Sequence, residues 1–254
     1  MQEASQPERR VFSYLERKLR RMTILVGMVG SDGIVLAADR RMTQNSQTEK
    51  ELDDHESIRK IINLAKHRIA YARVGDYVTK EVASKFSEEL DLENFDFAHW
   101  QPALKRIAAT TVKEAAAKAP PYEFDFQMER SLLIVFYGNQ LGESPQLWRF
   151  RISPPDPEAE PIHGIAIKGA IGNSARFFEY YFQYGMPIRR LLPLASHVVL
   201  MAGRLDWTMI EGLDIALFDS AGFHLLNESQ IAPLREGSNK LDALIRERLF
   251  AESP

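Results

Sequence analysis

The chain has 254 residues, 45% of them hydrophobic and 26% charged, with 32 Lys and Arg against 35 Asp and Glu. This composition predicts a globular protein with one large domain or two small ones, and it excludes disorder as the overall state. The absence of cysteine excludes a disulfide scaffold, a thiolate metal site and a cysteine nucleophile.

The first 22 residues differ in charge from the rest of the chain. They hold six basic and three acidic residues, so the remainder carries 26 basic and 32 acidic groups and a net charge of −6. Val11, Leu15, Leu19 and Met22 recur at helical spacing and predict a short basic amphipathic helix. We interpret residues 1–22 as an N-terminal extension, either a propeptide or a mis-assigned start, and residues 23–254 as the main domain.

Hydropathy and charge also limit where the protein acts. No apolar run reaches the roughly 18 residues that a bilayer span needs, and residues 1–22 lack the continuous apolar stretch of a signal peptide. The net charge of −3 gives no electrostatic footprint for nucleic acid. We therefore expect a cytoplasmic protein that binds neither membranes nor nucleic acid.

Residues 23–74 predict two successive β-hairpins. The first joins strands at 23–29 and 34–38 through a Gly-Ser-Asp-Gly turn. After a polar, insertion-like stretch at 44–57, the second joins strands at 60–64 and 68–74.

The rest of the chain alternates between groups of helices and groups of strands. The pattern predicts helices at 78–90 and 100–118, strands at 132–137, 147–152 and 165–171, helices at 174–184 and 194–204, strands at 213–218 and 223–226, and a last helix at 241–250. Residues 154–161 are predicted to be a proline-rich loop.

This clustering of elements argues against a doubly wound parallel sheet, in which strands and helices would alternate singly. It favours hairpins in antiparallel sheets that are covered by helices. The expected fold is of the α+β class, a four-layer α/β/β/α sandwich of two antiparallel sheets.

Several common functional motifs are absent. The sequence has no G-x-G-x-x-G motif, no P-loop and no metal-type histidine spacing, so we expect no cofactor and no metal. The segment 172–176 begins like a nucleophile elbow but carries Arg176 where that motif requires glycine, which excludes the usual serine-hydrolase interpretation.

Three reactive side chains stand at the ends of the first predicted strands. Thr23 begins the first strand, Asp39 follows the second and Lys60 begins the third. Each residue alone is typical of a structural or surface position. Because hairpin geometry brings strand ends together, the three are also candidates for one site.

The sequence around these residues matches a known family motif. Residues 23–43, TILVGMVGSDGIVLAADRRMT, closely resemble the opening of proteasome-type β subunits, a family of N-terminal-nucleophile hydrolases that includes the bacterial HslV and Anbu peptidases. The resemblance continues through Lys60, the ARVGD segment at 72–76, the GNS segment at 172–174 and Asp206 followed by GLDIA at 212–216. It spans Thr23 to Leu226 and implies the four-layer sandwich.

The resemblance implies a role for each matching residue. Thr23, once it is the first residue, would attack the scissile carbonyl, and its own α-amine, with a pKa of about 7.7–8.0, would act as general base. Lys60 would favour the alkoxide form of the hydroxyl, Asp39 would hold Lys60, and the backbone N–H of Ala72 would bind the oxyanion.

Other matching residues depart from the family or suggest specificity. Asp206 matches a family aspartate, whereas Asn173 and Met209 stand where the family has serines that orient the terminal amine; an Asn amide can substitute, and a Met thioether cannot donate a hydrogen bond. The family's primary side-chain pocket is matched by four apolar residues, which imply cleavage after uncharged, hydrophobic residues. These are Met42, Ile58, Ala70 and Val74.

The terminal amine of Thr23 requires removal of residues 1–22. Self-cleaving relatives have glycine before the threonine, whereas this chain has Met22, so we expect translation to start at Met22 and an aminopeptidase to remove it. The resemblance further implies unfolded polypeptide or peptide substrates, a homo-oligomeric ring and a possible ATP-dependent unfoldase. Two alternatives remain: a catalytically silent structural subunit, and an N-terminal-nucleophile amidase or transpeptidase.

Overall fold

The computed structural model describes residues 23–40, 59–92, 95–119, 124–126, 128–138, 144–152, 156–169, 176–205 and 210–250. The predicted helix within residues 1–22 and the insertion at 44–57 lie outside these residues.

The described strands form two five-stranded sheets in which every neighbouring pair is antiparallel. In chain order they are β1 (Ile24–Val29), β2 (Ile34–Ala38), β3 (Ile61–Leu64), β4 (Ile69–Val74), β5 (Ser131–Phe136), β6 (Gln146–Arg151), β7 (Glu158–Ile162), β8 (Ile165–Gly169), β9 (Asp214–Asp219) and β10 (Gly222–Leu225). The first sheet has the spatial order β10-β9-β2-β1-β8, and the second has the order β3-β4-β5-β6-β7.

Two pairs of helices cover the outer faces of the sheets. They are α1 (Tyr77–Leu90), α2 (Trp100–Lys118), α3 (Ile188–Leu205) and α4 (Glu228–Phe250). One apolar cluster joins α3 and α4 to the first sheet, a second joins α1 and α2 to the second sheet, and a third fills the space between the sheets. The predicted four-layer α/β/β/α sandwich is therefore confirmed.

The central position of β1 follows from its residue pattern. Ile24, Val26 and Met28 belong to the cluster under α3 and α4, whereas Leu25 faces the second sheet, as the two-residue period of a strand requires. A Cβ on Gly27 would lie 2.8 Å from a side-chain atom of Leu147 on β6, so glycine permits the close approach of the two sheets here.

A buried ion pair anchors the start of α1 to the second sheet. Asp76 caps the helix by accepting a hydrogen bond from the Val78 amide at 3.0 Å. The same carboxylate binds the Arg130 guanidinium through Nε at 3.0 Å and Nη2 at 2.7 Å. Because both side chains are buried, the pair fixes the loop that follows β4.

One predicted loop is wrong. Within the proline-rich segment at 154–161, Glu158–Ile162 forms β7, which pairs with β6 at the edge of the second sheet. Pro161 lacks a backbone donor, and such a residue is tolerated on an edge strand because one side of the strand is unpaired.

The C-terminal helices are longer than their patterns predict. The helix predicted at 194–204 begins at Ile188, and the helix predicted at 241–250 begins at Glu228, so each includes a proline, Pro193 or Pro233. Both starts bury apolar side chains completely, Leu191 in α3 and Ile231 in α4, and this burial outweighs the low helix propensity of proline. Of the helix predicted at 174–184, the described part is a 3₁₀ helix at Arg176–Tyr181.

Candidate active site

The first hairpin places Asp39 against the beginning of β1. β1 and β2 pair with Leu25 opposite Ala38, so the residue after β2 reaches the start of β1. The Ile24 amide donates to Asp39 Oδ1 at 3.0 Å, and the Asp39 amide donates to the Ile24 carbonyl at 3.3 Å. The Asp39 side chain is fully buried, so these contacts fix its carboxylate beside Thr23.

Lys60 joins Thr23 to Asp39 across the two sheets. Its Nζ donates to Thr23 Oγ1 at 2.8 Å and to Asp39 Oδ2 at 2.6 Å. The Lys60 side chain is 6% exposed. The structure therefore brings together the three residues that the strand ends indicated.

Burial and neighbouring charges set the protonation of Lys60. Desolvation lowers the pKa of the Lys60 ammonium below its ordinary value, although Asp39 opposes this shift by attraction and by its hydrogen bond. An ammonium that already donates to Thr23 Oγ1 can stabilise the alkoxide form of that hydroxyl. The arrangement is thus chemically suited to activating Thr23 as a nucleophile.

Gly169 lies at the end of β8 and contacts Thr23 from the edge of β1 that is opposite β2. It was not predicted from the sequence. A Cβ on this residue would lie 1.7 Å from the Thr23 carbonyl oxygen, and its φ of +117° also favours glycine. The Gly169 amide donates to Glu129 Oε2 at 3.2 Å. A glycine at the end of an apolar strand was the available signal, because it often marks a close backbone approach.

The predicted oxyanion and pocket residues on β4 lie on one face of that strand. Ala70, Ala72 and Val74 all contribute to the cluster between the sheets and are nearly completely buried. Ala72 pairs with Ile61, the residue after Lys60, so the predicted oxyanion donor lies close to the lysine backbone.

Several predicted site residues lie outside the described residues. They are Met42, Ile58, Asn173 and Asp206, together with Met22 and Met209.

Within the described ranges, no group of three or more His, Asp or Glu side chains could hold a metal ion. No helix in those same ranges is both long and apolar enough to span a bilayer.

Known proteins resemble this chain in sequence and in fold. The proteasome subunit family matches residues 21–132. The fold is similar to Anbu, the ancestral β-subunit, from Yersinia bercovieri (14% identity, TM-score 0.67, 91% of this chain and 97% of that one). It is also similar to the helical assembly of the Anbu complex from Pseudomonas aeruginosa (15% identity, TM-score 0.69, 91% of this chain and 98% of that one). A Gly-1 mutant of Anbu from Hyphomicrobium sp. strain MC1 is similar as well (16% identity, TM-score 0.65, 91% of this chain and 98% of that one). No curated protein matches the sequence.

These matches cover the region that carries the Thr23, Asp39 and Lys60 cluster. The family match spans all three residues, and the structural matches extend the likeness to 91% of the chain at the level of fold. The resemblance to proteasome-type β subunits is thus confirmed, and the chain has the N-terminal-nucleophile hydrolase fold shared with Anbu.

Proposed function

We propose that this chain is a threonine peptidase whose nucleophile is Thr23 Oγ1. The observation that supports it most strongly is the placement of Lys60 Nζ between Thr23 Oγ1 at 2.8 Å and Asp39 Oδ2 at 2.6 Å. A buried lysine in contact with a hydroxyl group and a carboxylate is costly for stability alone, and such clusters are typical of catalytic sites.

The reaction proceeds through an ester intermediate. The Thr23 hydroxyl proton passes to the free α-amine of Thr23 as Oγ1 bonds to the peptide carbonyl carbon. The ammonium formed then protonates the departing amine as the C–N bond breaks. Water, deprotonated by the same amine, attacks the ester carbonyl carbon. The C–Oγ1 bond then breaks, Oγ1 takes the proton back from the amine, and the acid product leaves. Lys60 stabilises the developing negative charge on Oγ1, and the Ala72 N–H binds the oxyanion.

The mechanism requires Thr23 to be the first residue of the mature chain. Removal of residues 1–22 supplies the α-amine, and translation from Met22 followed by methionine removal is the simplest route. Intact-mass measurement on protein expressed from the native gene tests it. We expect a mass beginning at Thr23, and an active species that retains residues 1–22 would contradict the mechanism.

The proposed substrates are unfolded polypeptides or peptides cleaved after uncharged, hydrophobic residues. Ala70 and Val74 belong to the apolar cluster between the sheets, and Met42 and Ile58 would complete the pocket. A panel of fluorogenic peptides tests this preference. Preferential cleavage after Glu or Arg would contradict it.

We propose homo-oligomeric assembly, in a ring, as the working state. The similar Pseudomonas aeruginosa protein forms a helical assembly. Four aromatic side chains of this chain, close together in sequence, are exposed, and such patches are typical of protein interfaces. They are Phe177, Tyr180, Tyr181 and Tyr184. A cytoplasmic location and an ATP-dependent unfoldase partner belong to the same proposal, and native mass spectrometry measures the subunit number.

Covalent labelling tests the catalytic role directly. A peptide epoxyketone, which reacts with an N-terminal threonine, is expected to add once per subunit to the mature protein. Thr23→Ala should abolish the labelling, whereas Thr110→Ala, which alters an exposed threonine on α2, should leave it unchanged. An assembled mature protein without labelling would instead support a structural subunit. Labelling without cleavage of any peptide in the panel would support an amidase or transpeptidase.

A further inference from the structure

A second buried carboxylate lies beside the Thr23 cluster and has no role in the mechanism above. Asp214 is the first residue of β9 and pairs with Ala38, the residue before Asp39. Its side chain is only 2% exposed. The pairing of β2 with β9 therefore brings a residue from far along the chain next to the end of β2.

Arg40 holds this carboxylate in place. Arg40 Nε donates to Asp214 Oδ1 at 2.7 Å, and Nη1 donates to Glu228 Oε1 at 2.5 Å. The Arg40 amide donates to the Glu211 carbonyl at 2.7 Å, and its side-chain stem lies against Gly212, which has a φ of +72°. Arg40 is thus fixed at its backbone, its stem and its guanidinium.

The charges of this region form a balanced set. Lys60 and Arg40, the latter 25% exposed, carry positive charges, and Asp39 and Asp214 carry negative ones. Asp214 Oδ2 is buried and accepts no hydrogen bond within the described part of the chain, so only one oxygen of this carboxylate has a direct donor. Its field therefore acts on neighbouring cations at low effective dielectric, where charge interactions are strong.

Lys60 is the neighbouring cation that this field affects. The described groups whose charge or hydrogen bond acts on Lys60 are Thr23 before β1, Asp39 after β2, Arg73 on β4 and Asp214 at the start of β9. Burial, the largest effect, and the Arg73 charge lower the pKa of Lys60, whereas Asp39 and Asp214 raise it. Among the described residues, Asp214 is thus one of the two carboxylates that favour the ammonium form.

We propose that Asp214 is a positioning residue for the Thr23 reaction, and that its carboxylate, fixed by Arg40, keeps Lys60 protonated beside Thr23 Oγ1. The proposal rests on the proposed role of Lys60 as the cation that stabilises Oγ1. Asp214 acts through Lys60, and it contacts no reacting atom.

The test is the pH dependence of epoxyketone labelling in the near-isosteric variant Asp214→Asn. We call the fall of the labelling rate at high pH, where Lys60 loses its proton, the alkaline limb. Loss of one negative charge makes the Lys60 cation less favourable, so the Lys60 pKa falls. The alkaline limb should therefore move down by about one pH unit, the usual effect of one nearby charge. The control is Asp219→Asn, which removes the same charge from the far end of β9. We expect no shift in that control. An alkaline limb of Asp214→Asn at the same pH as that of the wild-type protein would overturn the proposal.

Titration of Lys60 itself is independent of catalysis. In protein carrying Thr23→Ala and ¹³C-labelled lysine, the Lys60 Cε resonance should titrate about one unit lower with Asp214→Asn than without it. No difference would overturn the proposal whatever the activity. If this lower titration is found and protein that keeps Thr23 is never labelled by the epoxyketone, the coupling of Asp214 to Lys60 is supported and the proposed peptidase function is contradicted.

Discussion

The two ends of the sandwich each carry a lysine–aspartate pair of nearly the same length. At one end, Lys60 binds Asp39 at 2.6 Å with side chains that are 6% and 0% exposed. At the other end, on the turn after β3, Lys66 binds Asp91 at 2.8 Å with side chains that are 72% and 59% exposed. Geometry alone does not distinguish the two pairs. Their burial does distinguish them. The charges of the buried pair are costly to separate, whereas the charges of the exposed pair are screened by water.

The same contrast extends to the neighbouring residues. The Thr23 end contains Gly169 against the Thr23 carbonyl and Asp214 beside Ala38, whereas the opposite end has Gly222 in open space. The Lys60–Asp39 pair and Gly169 thus each have a counterpart of the same residue types at the exposed end. The counterparts serve as matched controls for the following predictions.

Removal of the lysine should produce the largest difference between the ends. Lys60→Met removes the Lys60 cation from beside the fully buried Asp39 carboxylate, so we expect the free energy of unfolding to fall by about 3–5 kcal/mol. Labelling of Thr23 should fall by about 10²–10³-fold. Urea denaturation and the epoxyketone reaction measure the two effects. Lys66→Met should match wild type in both, and equal stability of the two variants would contradict the distinction based on burial.

Addition of one methyl group should produce the next largest difference. Gly169→Ala places a Cβ against the Thr23 carbonyl oxygen and strains a backbone with a φ of +117°. We expect a loss of about 2–6 kcal/mol, from backbone strain of about 1–3 kcal/mol and overpacking of about 1–3 kcal/mol. Gly222→Ala has a similar φ of +112° with no atom within 4 Å, so strain alone remains. Equal losses in urea denaturation would show that the contact with Thr23 has no energetic effect.

The pH dependence of the reaction should depend on the buried lysine–aspartate pair and not on the exposed one. The Thr23 α-amine must be unprotonated to act as base, so the rate rises with pH through about 7.7–8.0. Lys60 must be protonated, and burial lowers its pKa, so the rate should fall again at a pH below the ordinary value for lysine. Stopped-time labelling between pH 5 and pH 11 measures both limbs. Lys66→Met should not move the alkaline limb, and a rate that never falls would exclude Lys60 as the essential cation.

The sequence pattern predicts the local structure near Thr23 well. Strand β2 and helix α2 have the predicted bounds, and β1 begins one residue later than predicted, because alternation in short strands and a continuous apolar helix face are local signals. The Thr23, Asp39 and Lys60 cluster follows from the ends of adjacent hairpins. The parts that could not be predicted depend on pairing between distant strands: β8 brings Gly169 to β1, and β9 brings Asp214 to β2.

The start of α4 shows a local signal that the sequence analysis overlooked. Asn227 Oδ1 accepts from the Gln230 amide at 3.1 Å, and Gln230 Oε1 accepts from the Asn227 amide at 3.0 Å. This reciprocal pair is a capping box, which the spacing Asn-x-x-Gln indicates. Proline disfavours a helix interior, yet Pro233 in the second turn is tolerated because Ile231, two residues before it, is completely buried.

The smallest effect concerns the exposed pair itself. Hydrogen bonds from Lys66 and then His67 hold the pKa of the Asp91 carboxyl below its ordinary value. A lowered carboxyl pKa stabilises the folded state above the unfolded pKa, and this contribution is lost as the pH falls through the folded pKa. Lys66→Ala should therefore raise the Asp91 pKa slightly, as measured by ¹³C titration of its carboxyl carbon, and should lower the urea midpoint at pH 7 by no more than that small shift accounts for. A fall in midpoint as large as that of Lys60→Met would contradict the distinction based on burial, because solvent screening should keep both the pKa shift and the stability contribution of an exposed pair small.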